Sequence, residues 1–519
     1  MLTQCTTVEK TQPHHKIQTG FSIPSDDNTI WCYWYWIGDD ISKEGITKDL
    51  EAMKAAGIGG ALIGNINPDE KDGKVPMLSD EWWQHMVHAV NEGKRIGVDI
   101  GAFNCPGWSQ SGGPWVKPEM AMRYVTYSET KAKGGQKVNL NLSKPNDEFQ
   151  DTYVLAFPEA QKIIATNAEN TTISTLPKIV ETADWLDGDI NSGPLFSEQL
   201  GNNYQITFEI DKPFSARNIK ITPHRIPFTC ECELEAETNG SYTPVSKFIF
   251  DRQNMDPNVG PNIQGPLSIS FPEVTSNNFR LTCKNFDRRG NQSVGFSEIS
   301  ISSDLVLDHY IEKQLAKMHP TPFPNWQSYA WEQQPSPQEE GLEIKETSVI
   351  DLTDKMDKNG VLNWNAPEGN WVIQRFGMTP TGTKNSPSAP QGKGYEVDKM
   401  SEKLARYHFE HFIGKFLSKI PEESKSAFKY VIADSYEMGS QNWTDDFNKK
   451  FQEAYGYDPK PFLPVYTGKV VQSVEASERF LWDIRRLVAN QVAYEYVGGL
   501  RKISNEHNLK LWLENYGHW

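Results

Sequence analysis

Residues 29 to 104 alternate apolar strands with amphipathic helices, and this rhythm leaves few folds open to the first hundred residues. TIWCYWYW (29 to 36) reads as a strand. A helix from about Ser42 then places Ile46, Leu50 and Met53 on one face and ends at Gly57. IGGALIG (58 to 64) reads as a Gly-rich buried strand. A second helix from Ser79 carries Trp83, Met86, Val87 and Val90 on its apolar stripe and stops at Gly97. VDIGAFN (98 to 104) makes the third strand. Strands joined by helices in this order form a parallel sheet with right-handed crossovers.

At 519 residues the chain exceeds one simple core, and two or three domains are expected. From Met122 to Ser303 the helical period gives way to short alternating strands such as YQITFEI, CELEAE and FRLTC. Residues 183 to 303 read as an antiparallel β-sandwich with discoidin-like, galactose-binding-like character at ADWLDGD and VGFSEISIS, with or without a ligand of its own. The expected organisation is therefore barrel-type α/β structure over 1–121, a β-rich connection over 122–182, the sandwich over 183–303, and a return to the barrel over 304–519. In that last part WVIQRFGMT (371 to 379) reads as a barrel strand, as do segments near 429 and 509. A helix from about Ser401 and a long helix from Ser477 to about Glu506 lie between them. Six barrel strands fall short of the eight that close a (β/α)8 TIM-type barrel. The chain thus reads as a C-terminally truncated piece; the alternative is a sheet completed from segments assigned to the insertion.

The ends of these strands carry the chemistry. VIADSYEMGSQNW (431 to 443) is an apolar run that breaks into Asp434, Tyr436 and Glu437, then Trp443. An α/β barrel equips its active-site mouth with residues placed in this way. The first strand delivers Trp34 and Trp36, followed by Asp39 and Asp40. The third delivers Asn104 and CPGWSQSGGPW, whose Trp108 and Trp115 offer stacking faces. GYEVDKMS brings Glu396, Asp398 and Lys399 to a helix start, where Asp398 or Ser401 would also serve as a cap. The last strand brings Glu514, Asn515, Tyr516 and His518. Carboxylates interleaved with aromatic rings suit glycoside hydrolysis, in which one protonated carboxyl serves the leaving oxygen and an ionised one activates water or attacks carbon. A carboxyl walled by rings holds its proton more tightly, so Glu437 between Tyr436 and Trp443 is the candidate acid.

Composition narrows the partners. Lys and Arg number 52 against 68 Asp and Glu, a formal charge of −16 with no basic run, which argues against nucleic acid or an anionic membrane. A neutral or polysaccharide-borne substrate fits, and the 16 Trp suit sugar rings, although most are expected in cores. No run of 18 apolar residues exists, so no membrane-spanning helix is expected. MLTQCTTVEK lacks the charged and apolar regions of a signal peptide, and Leu2-Thr3-Gln4-Cys5 is a faint lipoprotein-like ending. A polysaccharide substrate nevertheless puts the expected location in the periplasm, on the cell surface or outside. The six cysteines form no CxxC or Cys/His pattern, and Cys230 and Cys232, flanking one residue, are expected on opposite faces of a strand. No Ser-His-Asp order, phosphate loop, dinucleotide fingerprint or HExxH is present. His85, His88, His408 and His411 fall on expected helices, as surface or core residues.

IxxDLEAMKAAGIGGALI, SDEWWQHMVHAV, FNCPGWSQSGGPWVKPEMAM, GYEVDKMS, DSYEMGSQNWTDDF and LWLENYG together resemble the α-L-rhamnosidases of glycoside hydrolase family 106 over most of residues 25 to 519. The resemblance implies a (β/α)8 barrel with β-rich accessory domains and inverting cleavage of terminal α-L-rhamnose from plant pectic or related polysaccharides. It places the family's general acid at Glu437. The family's base is a glutamate well beyond the DSYE motif; Glu514 is the candidate here, with a later strand as the other source. A calcium ion near the sugar is also implied, with ligands unassigned and no organic cofactor. Asp434 joins Glu437 and Glu514 as a catalytic candidate. Trp36, Asn104, Trp108, Trp115, Glu396, Asp398, Tyr436, Trp443 and His518 are candidates for substrate binding. Two other readings stay open: a glycan-binding protein with a degenerate barrel, and a glycosidase of this fold acting on another sugar.

Overall fold

The computed structural model describes residues 13–22, 28–71, 73–159, 163–197, 201–288, 290, 292–317, 331–337 and 339–514. Five strands, Ile30–Ile37, Ile58–Ile66, Asp99–Phe103, Phe428–Ala433 and Lys510–Leu513, form one sheet in chain order, and each neighbouring pair is parallel. The connecting helices start and stop where their side chains dictate. Ser42 and Ser79 each cap a helix by accepting a backbone N–H, from Gly45 and Trp82 respectively. Gly97, at φ 79°, ends the second helix in the left-handed conformation that favours glycine.

The sheet is curled. Its edge strands would stand about 19 Å apart across four flat strand spacings. Yet Tyr33 of the first strand meets Trp512 of the last edge to face, with ring centroids 5.9 Å apart. The Tyr33 hydroxyl also donates to Glu514 at 2.9 Å. The concave face carries Trp31, Tyr33, Leu62, Phe103, Tyr430 and Ile432. The convex face carries Trp34, Trp36, Ala61, Ile63, Ile100 and Val431, packed against Trp82, Trp83, Phe412 and Phe416 of the helices. Because strand side chains alternate, the two Trp and the two Tyr of CYWYW part to opposite faces. The glycines of IGGALIG make room for the concave-face rings: a Cβ on Gly60 would stand 2.2 Å from the Trp31 indole.

Two expectations about this sheet are corrected. WVIQRFGMT is not a barrel strand. Asn370–Pro380 lies in an antiparallel sheet of order Ile350–Asp351, Gln150–Pro158, Asn370–Pro380, Arg123–Lys133. All but its first residue are buried, Gln374 and Arg375 included, so the strand is covered on both faces as a parallel strand is. Five barrel-type strands remain, not six. Among the described residues they form an open, curled sheet rather than a closed barrel.

The antiparallel insertion is built on two long strands, Asn203–Pro223 and Leu267–Arg288, whose pairing shifts register at Ser270/Val274 and Ser276/Asn278. Asn203–Pro223 also pairs with Thr171–Leu176 along its first half and with Val294–Ser302 along its second. The domain therefore takes in residues 171–176, which the sequence suggested belonged to the connection before 183. Its core is aromatic, with Trp185, Phe196, Tyr204, Phe228, Phe250 and Phe296 all fully buried. Cys230 and Cys232 do not face opposite ways. Residues two apart on a strand share a face, and both thiols enter this core.

Candidate active site

The fourth and fifth parallel strands each end in a carboxylate, Asp434 and Glu514. The buried run Val431–Ala433 forces its strand into the sheet interior, so Asp434 emerges at the C-terminal rim at only 6% exposure. Beside it is a cavity of about 400 Å³. Gln110, Tyr436, Gln441, Arg485 and Glu514 give this cavity its polar lining, and Leu315, Val488, Val492, Val497 and Leu513 its apolar wall. Most of that wall belongs to the helical run after Val474. This run is α-helical to Gln491, makes a π-helical turn over Val492–Val497, and resumes as an α-helix to Glu506. Such π turns inside helices recur at functional sites. Arg485 is buried enough for its pKa to fall to about 10, which still leaves it a cation at neutral pH.

Asp434 and Glu514 act as a pair. Burial, then the hydrogen bond to Glu514, raises Asp434 to about 7, and the charges of Glu514 and Glu437 add to the rise. Asp434 therefore holds its proton near neutrality, and Glu514 accepts hydrogen bonds from both Asp434 and the Tyr33 hydroxyl. An Asp that titrates higher when folded takes up a proton on folding between roughly pH 4 and pH 7. The stability carried by the protonated carboxyl is complete below about pH 4 and is lost as pH rises through 7. Asp434→Asn should remove that loss. The variant is expected to gain on the order of 1–3 kcal/mol relative to the parent between pH 5 and pH 8. Unfolding free energies measured at the two pH values check this, and an equal difference at both would reject the assignment.

The loop after the third strand is bolted to this rim. The Gln110 side-chain amide donates to the backbone carbonyl of Asp434. Asn104 donates to the Ser111 hydroxyl at 2.7 Å and to the Gln110 carbonyl at 3.1 Å. Its own carbonyl accepts from His408, at 2.8 Å. Burial lowers His408 to about 4, so the ring is neutral; Nε2 carries the proton and Nδ1 accepts from the Trp115 indole at 3.2 Å. Gly107 sits at φ 86°, and a Cβ there would press within 2.7 Å of the Ser386 backbone.

Beneath the loop lies a fully buried ionic network. Glu396 accepts from the Ser111 backbone N–H at 3.0 Å and from the Lys399 ammonium at 2.5 Å. Asp398 accepts from Arg123, Thr444, Gln441 and the Met400 backbone N–H. Asp398 thus has no oxygen left for a sugar, and it caps no helix either; Ser401 does that by accepting from Leu404.

The structure disperses the other sequence candidates. Tyr436 lines the cavity. Glu437 is half-buried and close enough to act on Asp434, but is not among the lining residues. Trp108 is 40% exposed in the loop. Trp36 is packed on the convex side against Trp34, with ring centroids 5.5 Å apart. Trp115 stacks on Phe412 and His411 of the helical layer. Trp443 is buried in a separate core against Phe447, 4.9 Å away, so it does not wall Glu437. Asn104, Glu396 and Asp398 are interior struts rather than open binding groups. His518, with Asn515 and Tyr516, lies outside the described residues. Tyr33, Gln110 and Arg485 were missed; only the alternation in CYWYW hinted at Tyr33.

Calcium takes six to eight oxygens. The buried carboxylates that might have supplied them are engaged by Lys399 and Arg123. Among the described residues no three carboxylates bring ligand oxygens within 4.8 Å of one another.

Parallel strands that release paired carboxylates beside a partly apolar cavity define a hydrolase-type α/β site. The chain matches the glycoside hydrolase family 106 profile, alpha-L-rhamnosidase, over residues 23–519 and belongs to that family. It is similar to a rhamnosidase from Novosphingobium sp. PP1Y, 28% identical with a TM-score of 0.78 over 96% of this chain and 47% of that one. A protein of Formosa agariphila described as a putative beta-glucuronidase is 28% identical over 96% of this chain and 30% of its own length. The chain thus spans less than half the length of these two relatives. No helix among the described residues is long and apolar enough to cross a membrane.

Proposed function

We propose that this chain carries most of the site of an inverting α-L-rhamnosidase acting on plant pectic or related polysaccharides outside the cytoplasm. The observation that supports this reading most is the pairing of Asp434 with Glu514 at adjacent strand ends beside the cavity. Glu514 accepts hydrogen bonds from Asp434 and Tyr33 at the cavity wall, which suits a base that accepts a proton from water. Asp434 and Tyr33 position it. Two hydrogen-bonded carboxyls are far closer than the roughly 6.5–9.5 Å that an inverting acid and base require, so Asp434 cannot be the partner acid. That role falls to Glu437, as its position in the family motif implies. The apolar wall suits the methyl-bearing face of a deoxy sugar, and Gln110, Tyr436 and Gln441 suit its hydroxyls.

A second reading, a uronide hydrolase, is favoured by Arg485. A half-enclosed guanidinium in the cavity would pair with a sugar carboxylate, and a relative bears a glucuronidase name. A panel of aryl glycosides separates the two. Release from an aryl α-L-rhamnoside, with product of inverted configuration by NMR, is the expected result. Preference for an aryl β-glucuronide would replace rhamnose with a uronic acid, and binding of rhamnosides without turnover would leave only a lectin.

A further inference from the structure

The aromatic core of the antiparallel domain contains three thiols that no part of the carbohydrate chemistry uses. Cys230 and Cys232 lie two apart on Phe228–Thr238 and so share its inner face. Cys283 is the cross-strand partner of Cys232 on Leu267–Arg288. The sulfurs of Cys230 and Cys232 are 3.7 Å apart, and those of Cys232 and Cys283 are 3.8 Å apart. All three lie within 4.8 Å of one another, and each residue is at most 4% exposed. The remaining described cysteines are elsewhere: Cys105 donates to the Ser109 carbonyl under the active-site loop, and Cys32 is on the first parallel strand.

We propose that these three thiols form a structural site for a divalent, thiophilic d¹⁰ cation such as Zn²⁺. A metal about 2.3 Å from each of three thiolate sulfurs needs those sulfurs roughly 3.8–4.0 Å apart, and two of the three separations already stand near that value. Soft sulfur ligands without competing oxygen or nitrogen donors select such ions over calcium or magnesium. The charge favours a divalent ion. Three thiols lose three protons to solvent and the complex carries a net charge of −1, whereas a monovalent ion would leave −2 in an apolar core.

The thiols share a buried core with Phe228, Phe250 and Leu281, so the ion would be taken up as the domain folds, stabilising it.

The test uses the whole chain, produced in zinc-supplemented medium, passed over chelating resin and assayed for metal. About one zinc per chain is expected. Refolding with Cd²⁺ should give a thiolate-to-metal charge-transfer band in the ultraviolet, and refolding with chelator should lower the melting temperature. Cys232→Val, which keeps the side chain small and apolar, and Cys283→Ser should each lose the metal and the band. Should one variant fail to fold, the parent measurement decides alone. Less than about a tenth of an equivalent of either metal, with every thiol free on unfolding, means packing only and overturns the proposal. So does an intact mass short by two hydrogens with peptide mapping that places a disulfide among Cys230, Cys232 and Cys283.

Discussion

Glu437→Gln is expected to slow release of a nitrophenyl α-L-rhamnoside by about a hundred- to ten-thousand-fold, the usual contribution of a positioned proton donor. Glutamine keeps the size and most contacts of the side chain but has no acidic proton, so KM should change little while kcat falls. The deficit must depend on the leaving group. A dinitrophenyl rhamnoside departs as a stable anion and needs little protonation, so the variant should approach the parent on that substrate. A poor leaving group such as a sugar hydroxyl should show the full loss. A deficit of the same size for good and poor leaving groups would remove Glu437 from the acid role.

The same comparison separates Glu437 from its neighbours. Glu514→Gln should be slow on every leaving group, because water activation is needed regardless of what departs. It also removes the carboxyl whose hydrogen bond and charge raise Asp434, so the pH profile should shift together with the rate. Asp434→Asn should act through Glu514, altering the pH dependence more than the rate on good leaving groups.

How much of this was readable in the sequence follows from what periodicity encodes. The alternation of Ile46, Leu50 and Met53 with the strand at 58, and the serine and glycine caps at 42, 79 and 97, are local signals, and the helices start and end where those signals fall. The release of Asp434 at a buried strand end was equally local. Burial on both faces was misleading, because Asn370–Pro380, central in an antiparallel sheet and covered on both sides, is rich in apolar residues like a parallel strand, although Gln374 and Arg375 interrupt it. The indoles misled for another reason. A large flat ring that suits a sugar also fills a core, and Trp36, Trp115 and Trp443 fill cores or pack on a helix. The period of two parts Tyr33 from Trp34 and Trp36, but which side is concave depends on the curl of the sheet, and no single strand encodes that. The Asp434–Glu514 pair, 80 residues apart in the chain, was visible only as two separate acids.

Lys399→Met should cost about 3–5 kcal/mol of stability, the typical result of removing one partner from a buried ion pair. Lys399 and Glu396 are both fully buried, and their charged atoms are 2.5 Å apart. Without the ammonium, the Glu396 carboxylate keeps only the Ser111 backbone N–H, and its other oxygen already has no hydrogen-bond partner among the described residues. The loss extends beyond the pair. The Lys399 ammonium also lies 4.6 Å from the centre of the Tyr496 ring, in the π turn that walls the cavity, and the Tyr496 hydroxyl meets the Ser111 hydroxyl at 2.5 Å. One cation therefore joins the loop holding Gln110, the segment before Ser401 and the helical wall. The denaturant midpoint should fall accordingly, and the variant should lose rhamnoside turnover at temperatures where it is still folded. Adding Glu396→Gln to Lys399→Met removes the stranded charge and should recover much of the stability, because a neutral amide costs far less to bury than an unpaired carboxylate. If the double variant is as unstable as the single one, packing against Tyr496, rather than charge compensation, is what Lys399 supplies.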